Sequence, residues 1–151
     1  MSSENELIKL YSSRILALAT ELSAPSRLQK PDATVKKRSP LCGSAVIVDI
    51  TIENGRVADF AQDVKACALG QAAASVLGKV VLGRSLDELL ATRDALHKML
   101  KTDGPAPEAP FDEMEVLRPA KDFKNRHASI MLSIEAVTEA MQKVDQKEGY
   151  A

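Results

Sequence analysis

Residues 46–60 leave few choices for the middle of this chain. Val46, Val48, Ile50 and Ile52 alternate with Ile47, Asp49, Thr51 and Glu53, the two-residue period of a strand with one buried face. Asn54-Gly55 follows, a pair that favours a tight hairpin turn. A two-residue turn there would set Ile52 opposite Val57 and Ile50 opposite Asp59. A three-residue loop, Glu53-Asn54-Gly55 with Gly55 left-handed, sets Ile52 opposite Arg56, Ile50 opposite Ala58 and Val48 opposite Phe60. The second register keeps Asp59 and Asp63 off the apolar face, so the reading prefers the three-residue loop with its bulge. Carried to the open end, it places Cys42 opposite Ala66, beside Cys67. Two cysteines 25 residues apart in sequence then share one end of a hairpin.

The flanking segments read mostly as helices. Leu7, Tyr11, Ile15, Leu18 and Leu22 form one face of an amphipathic helix. Pro25 and Pro31 break that pattern, and residues 23–40 read as an irregular arm carrying the basic run Lys36-Lys37-Arg38. Ala68 to Val81 is Ala-rich and helical, with Cys67 at its N-terminal edge, where the helix dipole favours a thiolate. Gly83 ends it. Ser85 and Glu88 form a capping box that opens a helix from about Leu86 to Lys101, burying Leu86, Leu89, Leu90 and Leu96. Three prolines make residues 103–110 a loop, and Phe111 to Leu117 reads as a short helix before Pro119. The last helix starts near Ala128, with Ile130, Ile134, Val137, Met141 and Val144 on one face. The expected fold is a single α+β domain over residues 1–151, with helices covering one face of a small antiparallel sheet of about three strands. Residues 1–3 and 146–151 are expected to fray.

Composition narrows the function. The net charge is −1 and there are five aromatics with no Trp. That balance argues against nucleic acid as the main partner, which calls for a basic excess or stacking rings. The N-terminal Met1-Ser2-Ser3-Glu4-Asn5-Glu6 is acidic where a secretory leader is basic, and no stretch approaches a membrane span. A cytoplasmic protein with reduced thiols is expected. In that setting Cys42 and Cys67 are buried fillers, a redox pair or metal ligands. His97 lies within a helix and reads as structural or solvated. His127, in Asn125-Arg126-His127-Ala128-Ser129, precedes a helix and could cap it or bind a metal.

The order of these features resembles the IscU/NifU-type iron–sulfur cluster assembly scaffold family. The residues that carry the resemblance are Cys42-Gly43 entering a hairpin and Cys67 opening an Ala/Ser-rich helix. Leu82-Gly83-Arg84-Ser85-Leu86-Asp87-Glu88 opens the next helix, and His127-Ala128-Ser129 opens the last. In that family a Cys-Gly-Asp, a second Cys about 25 residues on, and a His-Cys-Ser or related third Cys hold a nascent [2Fe–2S] cluster or a zinc ion. The first two cysteines fall on Cys42 and Cys67 and the His on His127. Ser44 stands in place of the Asp and Ala128 in place of the third Cys. The family's Leu-Pro-Pro-Val-Lys chaperone motif is replaced by Lys121-Asp122-Phe123-Lys124-Asn125.

The resemblance therefore implies a non-catalytic scaffold or carrier holding iron or a transient [2Fe–2S] cluster, or alternatively zinc, through Cys42, Cys67 and His127. Ser44 would be a poor further ligand. A cluster normally takes four protein ligands, so a partner, a second copy in a homodimer or a small thiol could supply the fourth. The implied partners are a cysteine desulfurase and apo iron–sulfur acceptors, with no nucleic acid and no membrane. Two other readings stand beside it, the first from the missing third Cys and Asp, the second from the place of Cys67 at a helix N-terminus. One is a disarmed paralogue that binds zinc or docks assembly proteins. The other is a sulfur acceptor carrying persulfide on Cys67.

Overall fold

The computed structural model describes residues 12–40 and 43–149, without the side chains of 147–149. The elements in order are α1 (Ser13–Glu21), β1 (Ala33–Arg38), β2 (Ala45–Glu53), β3 (Arg56–Lys65), α2 (Ala68–Val80) and α3 (Leu86–Thr102). A 3₁₀ helix (Asp112–Asp122) and α4 (Lys124–Gly149) complete the chain. The strands form one antiparallel sheet in the order β1-β2-β3. The α+β architecture of the sequence reading is present, with three strands.

The hairpin is tighter than the sequence reading had it. Asn54 and Gly55 both adopt positive φ, 53° and 74°, the signature of a two-residue type I′ turn whose twist matches the strands. Glu53 pairs with Arg56 and Ile52 with Val57. The register then shifts, leaving Ala58 as an extra residue on β3, so that Thr51 faces Asp59, Ile50 faces Phe60 and Val48 faces Gln62. The bulge sits in β3, not at the turn. The expected pairing was one residue off beside the turn and two beyond the bulge, and because the latter shift is even, Asp59 and Asp63 still leave the apolar face. The ladder ends at Ala45 opposite Lys65. The register behind Cys42 opposite Ala66 is thus replaced, and Cys42 itself lies outside the described residues.

Residues 33–38, expected within an irregular arm, form the edge strand β1. Ala33 and Val35 point into the core, while Lys36 and Arg38 are exposed. The basic run hid this alternation, because Lys37 occupies an inward position. Its ammonium meets Glu139 of α4 at 2.6 Å.

Helix α4 lies on β1 and β2 and is flanked by α2 and α3; α1 packs on α2. Apolar contact therefore reaches α4 on nearly every side. Met131, Leu132, Ala136 and Ala140 are buried as well as the expected Ile130, Ile134, Val137, Met141 and Val144. The helix starts at Lys124 rather than near Ala128, since Lys124 and Asn125 are exposed and add no apolar periodicity. Its helical span reaches Gly149. The short helix expected over 111–117 is a 3₁₀ segment that continues through Pro119. The Ser85–Glu88 capping box is present. Leu89 and Leu96 are buried as expected, whereas Leu86 and Leu90 are only half-buried. In α1, Ser12 caps the helix and Ile15 and Leu18 are buried; Leu7 and Tyr11 lie outside the described residues.

The sheet's other face is crossed by the chain between α1 and β1. The Ser26 N–H donates to Gln62 O on the outer edge of β3, and the Asp32 N–H donates to Ile50 O beside β1. Between them, Asp49 anchors the crossing with its side chain fully buried. It accepts from Arg27 Nε at 2.6 Å, Arg27 Nη2 at 3.2 Å, the Leu28 N–H at 3.0 Å and the Thr34 hydroxyl at 2.5 Å. Burial pushes the Asp49 carboxyl up, but these donors outweigh it and hold its pKa below the ordinary carboxylate range. A depressed folded pKa means the unfolded chain takes up the proton first. The stability Asp49 contributes is complete above about pH 4 and is lost as pH falls through the folded value. Asp49→Ala strands a hydroxyl, a backbone N–H and a half-exposed guanidinium. It is expected to cost about 3 kcal/mol in urea unfolding at pH 7 and to flatten the acid limb of the stability profile.

Candidate functional site

Three elements converge at the open end of the β2–β3 hairpin. The first is the connection between β1 and β2. The Ser39 N–H donates to Ser44 O at 2.8 Å, and the Gly43 N–H donates to Ser39 O at 3.0 Å. Gly43 adopts φ 71°, a left-handed turn that lets the chain double back. The two hydrogen bonds tie Ser39 to Gly43 and Ser44. The second is the start of α2. Cys67 is its N-cap in extended conformation, and its side chain makes no capping bond. The sulfur points instead toward α4, the third element, where Ser129 lies in the second turn.

The contacts are close and largely buried. Ser129 Oγ lies 2.9 Å from Ser44 Oγ and 3.6 Å from Cys67 Sγ. Ser44 and Ser129 are buried and Cys67 is half-buried. The approach of α4 to α2 depends on Gly70, in the first turn of α2. A Cβ at position 70 would stand 2.5 Å from Ser129 Oγ, 2.8 Å from Ala66 Cβ and 3.1 Å from Ser129 O. Helices otherwise separated by the bulk of their side chains come together here because one of them has none.

His127 stands apart from this cluster in its bonding. It lies in the first turn of α4, not ahead of the helix, and is buried at 5% exposure. Nε2–H donates to Ala120 O at 2.9 Å, while Nδ1 has no hydrogen-bond partner among the described residues. Burial pushes its pKa below the ordinary histidine range, against the opposing pull of the Ala120 carbonyl. A neutral ring with one nitrogen held by a carbonyl and the other carrying a free lone pair is the state in which histidine binds metal. His97 is exposed on α3, as the solvated reading expects.

Of the sequence candidates, the structure thus brings Cys67 and Ser44 together around Ser129. Among the described residues His127 forms no hydrogen bond with any of the three, and no three His, Cys, Asp or Glu side chains gather as a metal site. Cys42 lies outside those residues. Ser129 is the residue the sequence reading passed over, because it took Ala128 as the third position. Its signal was present in Ser129, Ser133, Ala136 and Ala140, small residues recurring every three or four positions along α4. Such a stripe marks a close helix contact, and Gly70 in the Ala-rich α2 is its counterpart.

Comparison with known proteins shows which family carries this fold. The model of the NifU-like N-terminal domain matches residues 11–130. The chain belongs to this family. The family is one of iron–sulfur cluster assembly scaffolds, and two relatives carry the description iron–sulfur cluster assembly scaffold protein IscU. The one from Streptococcus pyogenes is 24% identical over 72% of this chain and 69% of its own length. That from Thermotoga maritima is 21% identical over 89% and 94%. The crystal structure of a nitrogen-fixing NifU-like protein (N-terminal) from Brucella abortus has a TM-score of 0.91 and 44% identity. It covers 94% of this chain and 99% of its own. A candidate scaffold for the SUF system from Fervidobacterium islandicum shares the fold, with a TM-score of 0.79 at 16% identity over 89% of this chain and 98% of its own. No helix among the described residues is long and apolar enough to cross a membrane.

Two outcomes test this geometry. Gly70→Ala drives a methyl into Ser129 and Ala66 and is expected to cost about 2 kcal/mol in denaturant unfolding. A neutral surface control such as Lys124→Ala is expected to stay within about 0.5 kcal/mol. Because the folded pKa of His127 lies below the unfolded one, the unfolded chain binds the extra proton. Its contribution is complete above about pH 6.5 and declines as pH falls toward the folded value. Melting temperatures from pH 7.5 to 5.5 are expected to fall for the parent chain. They are expected to fall less for His127→Gln, which keeps a donor toward Ala120.

Proposed function

We propose that this chain is a scaffold or carrier that holds iron or a transient iron–sulfur cluster as cargo, with Cys42 and Cys67 as its thiolate ligands. The observation that carries this reading is the convergence of Cys67, Ser44 and Ser129 from three elements. It occurs in a family of cluster assembly scaffolds, and Cys42 stands two residues before Ser44 in sequence.

The donor set suits the role. Thiolates are soft ligands for iron and its clusters, and the neutral His127 ring keeps a lone pair that could join them. Ser44 and Ser129 place oxygen where further thiolate or carboxylate would bind more tightly. Two thiolates with weak oxygen donors leave a cluster short of ligands, and that favours release over storage. The sulfur in such a cluster comes from a cysteine desulfurase and the finished cluster goes to an apo acceptor protein. The chain itself then catalyses no step.

The experiment is anaerobic reconstitution with ferrous iron and sulfide, read by iron content and by thiolate-to-iron charge-transfer absorption. Cys67→Ser is expected to lower bound iron at least tenfold. Ser129→Cys places a third sulfur beside Cys67 and is expected to slow cluster transfer to a chelator by tenfold or more. Full iron uptake by the Cys42→Ser/Cys67→Ser double variant would refute the assignment.

A further inference from the structure

The back of the sheet is organised near the site. The crossing segment that covers this face is fixed at the level of Asp49, two rows short of the sheet's end. In the last row Arg38, Ala45 and Lys65 stand side by side across the three strands; Lys36, Ile47 and Asp63 form the second row from the end. Alternation puts all six on the face away from α4, since Lys37, between Lys36 and Arg38, is the residue that reaches Glu139 on that helix. Lys36, Arg38 and Lys65 are exposed and Ala45 and Ile47 half-buried. Among the described residues none of the three cations has an ion-pair partner. Asp63 is the one carboxylate in the two rows, and its Oδ1 is buried with no hydrogen-bond partner among the described residues.

The surface is therefore a small apolar floor with cations on both sides. Strand spacing sets the Arg38 and Lys65 β-carbons roughly 10 Å apart, the width of one extended peptide with its side chains. Both cations are tied in sequence to the site. Arg38 precedes Ser39, whose backbone clamps Gly43 and Ser44, and Lys65 is two residues before Cys67.

We infer that the Arg38–Ala45–Lys65 row is a docking surface for an acidic segment of a partner protein, which it delivers to Cys67. This rests on the scaffold reading above, since cargo that is neither made nor consumed here must pass to or from another protein at this end of the sheet. A polyphosphate partner fits less well. The cations are few, a carboxylate stands among them, none of the six residues of the two rows is aromatic, and the whole chain carries a charge of −1.

Thiol exchange tests the inference without metal or partner. Short peptides ending in Cys, with Asp/Glu, Ser/Gly or Lys upstream, are each joined through that Cys to thionitrobenzoate. In a Cys42→Ser chain the Cys67 thiolate attacks the peptide sulfur, a chain–peptide disulfide forms, and thionitrobenzoate leaves as the coloured thiolate. The acidic peptide is expected to react about tenfold faster than the Ser/Gly peptide at low ionic strength, the Lys peptide slower still. That advantage is expected to vanish in 1 M salt and in R38E/K65E, whose melting curve should match the parent's. Equal rates for acidic and neutral peptides, or an advantage that survives R38E/K65E, would overturn the inference. So would patch-dependent binding of a single-stranded oligonucleotide tighter than that of an acidic peptide of equal charge. Reconstitution with inorganic iron and sulfide needs no docking, and R38E/K65E is expected to retain it. Loss of docking and failure of the scaffold reading therefore give different results.

Discussion

The close packing of α4 on α2 sets the position of everything at the site. α4 is the central helix, wedged between two other helices and the sheet, so its placement is a compromise among all of them. At one point the compromise leaves no room for a side chain, and Gly70 supplies none. Ser129 is thereby pressed against Cys67 and Ser44, residues that arrive from a helix N-terminus and a strand end. The site's dimensions are set by the core, not by loops, and a change in packing elsewhere along α4 would be felt there.

The sheet solves a different problem. Its helical side is sealed by apolar contact, while among the described residues its back is crossed by a segment with two prolines and little regular structure. Such a segment cannot bury enough apolar area to hold itself down. A buried carboxylate does it instead. Asp49 pays the desolvation cost and recovers it through four hydrogen bonds to Arg27, Leu28 and Thr34. The same arrangement stops short of the sheet's end, where the basic row stays open.

Patterns that repeat were legible in the sequence. The alternation of β2, the Ser85–Glu88 box, the apolar side of α4 and Cys67 at the head of α2 all follow from local periodicity or capping chemistry. What escaped was non-local. The bulge at Ala58 is decided by a compromise between turn twist and sheet packing, and no local residue announces it. β1 was obscured because Lys37 faces inward, a placement that makes sense only with Glu139 opposite, 102 residues away. Ser129 was overlooked for a similar reason. Motif matching weighs the residue types at expected offsets, whereas the structure selects whichever residue faces the neighbouring helix.

The inward ammonium of Lys37 has a consequence beyond its ion pair. β1 is an edge strand, and an edge is a template on which another chain's strand can grow. A strand added there would have to settle beside Lys36, Lys37 and Arg38 in succession, one of them already committed to Glu139 across the core side. Three cations in a row make this border of the sheet a poor place to polymerise. The molecule can thus keep a charged face open to visitors without inviting its own copies to join it strand by strand.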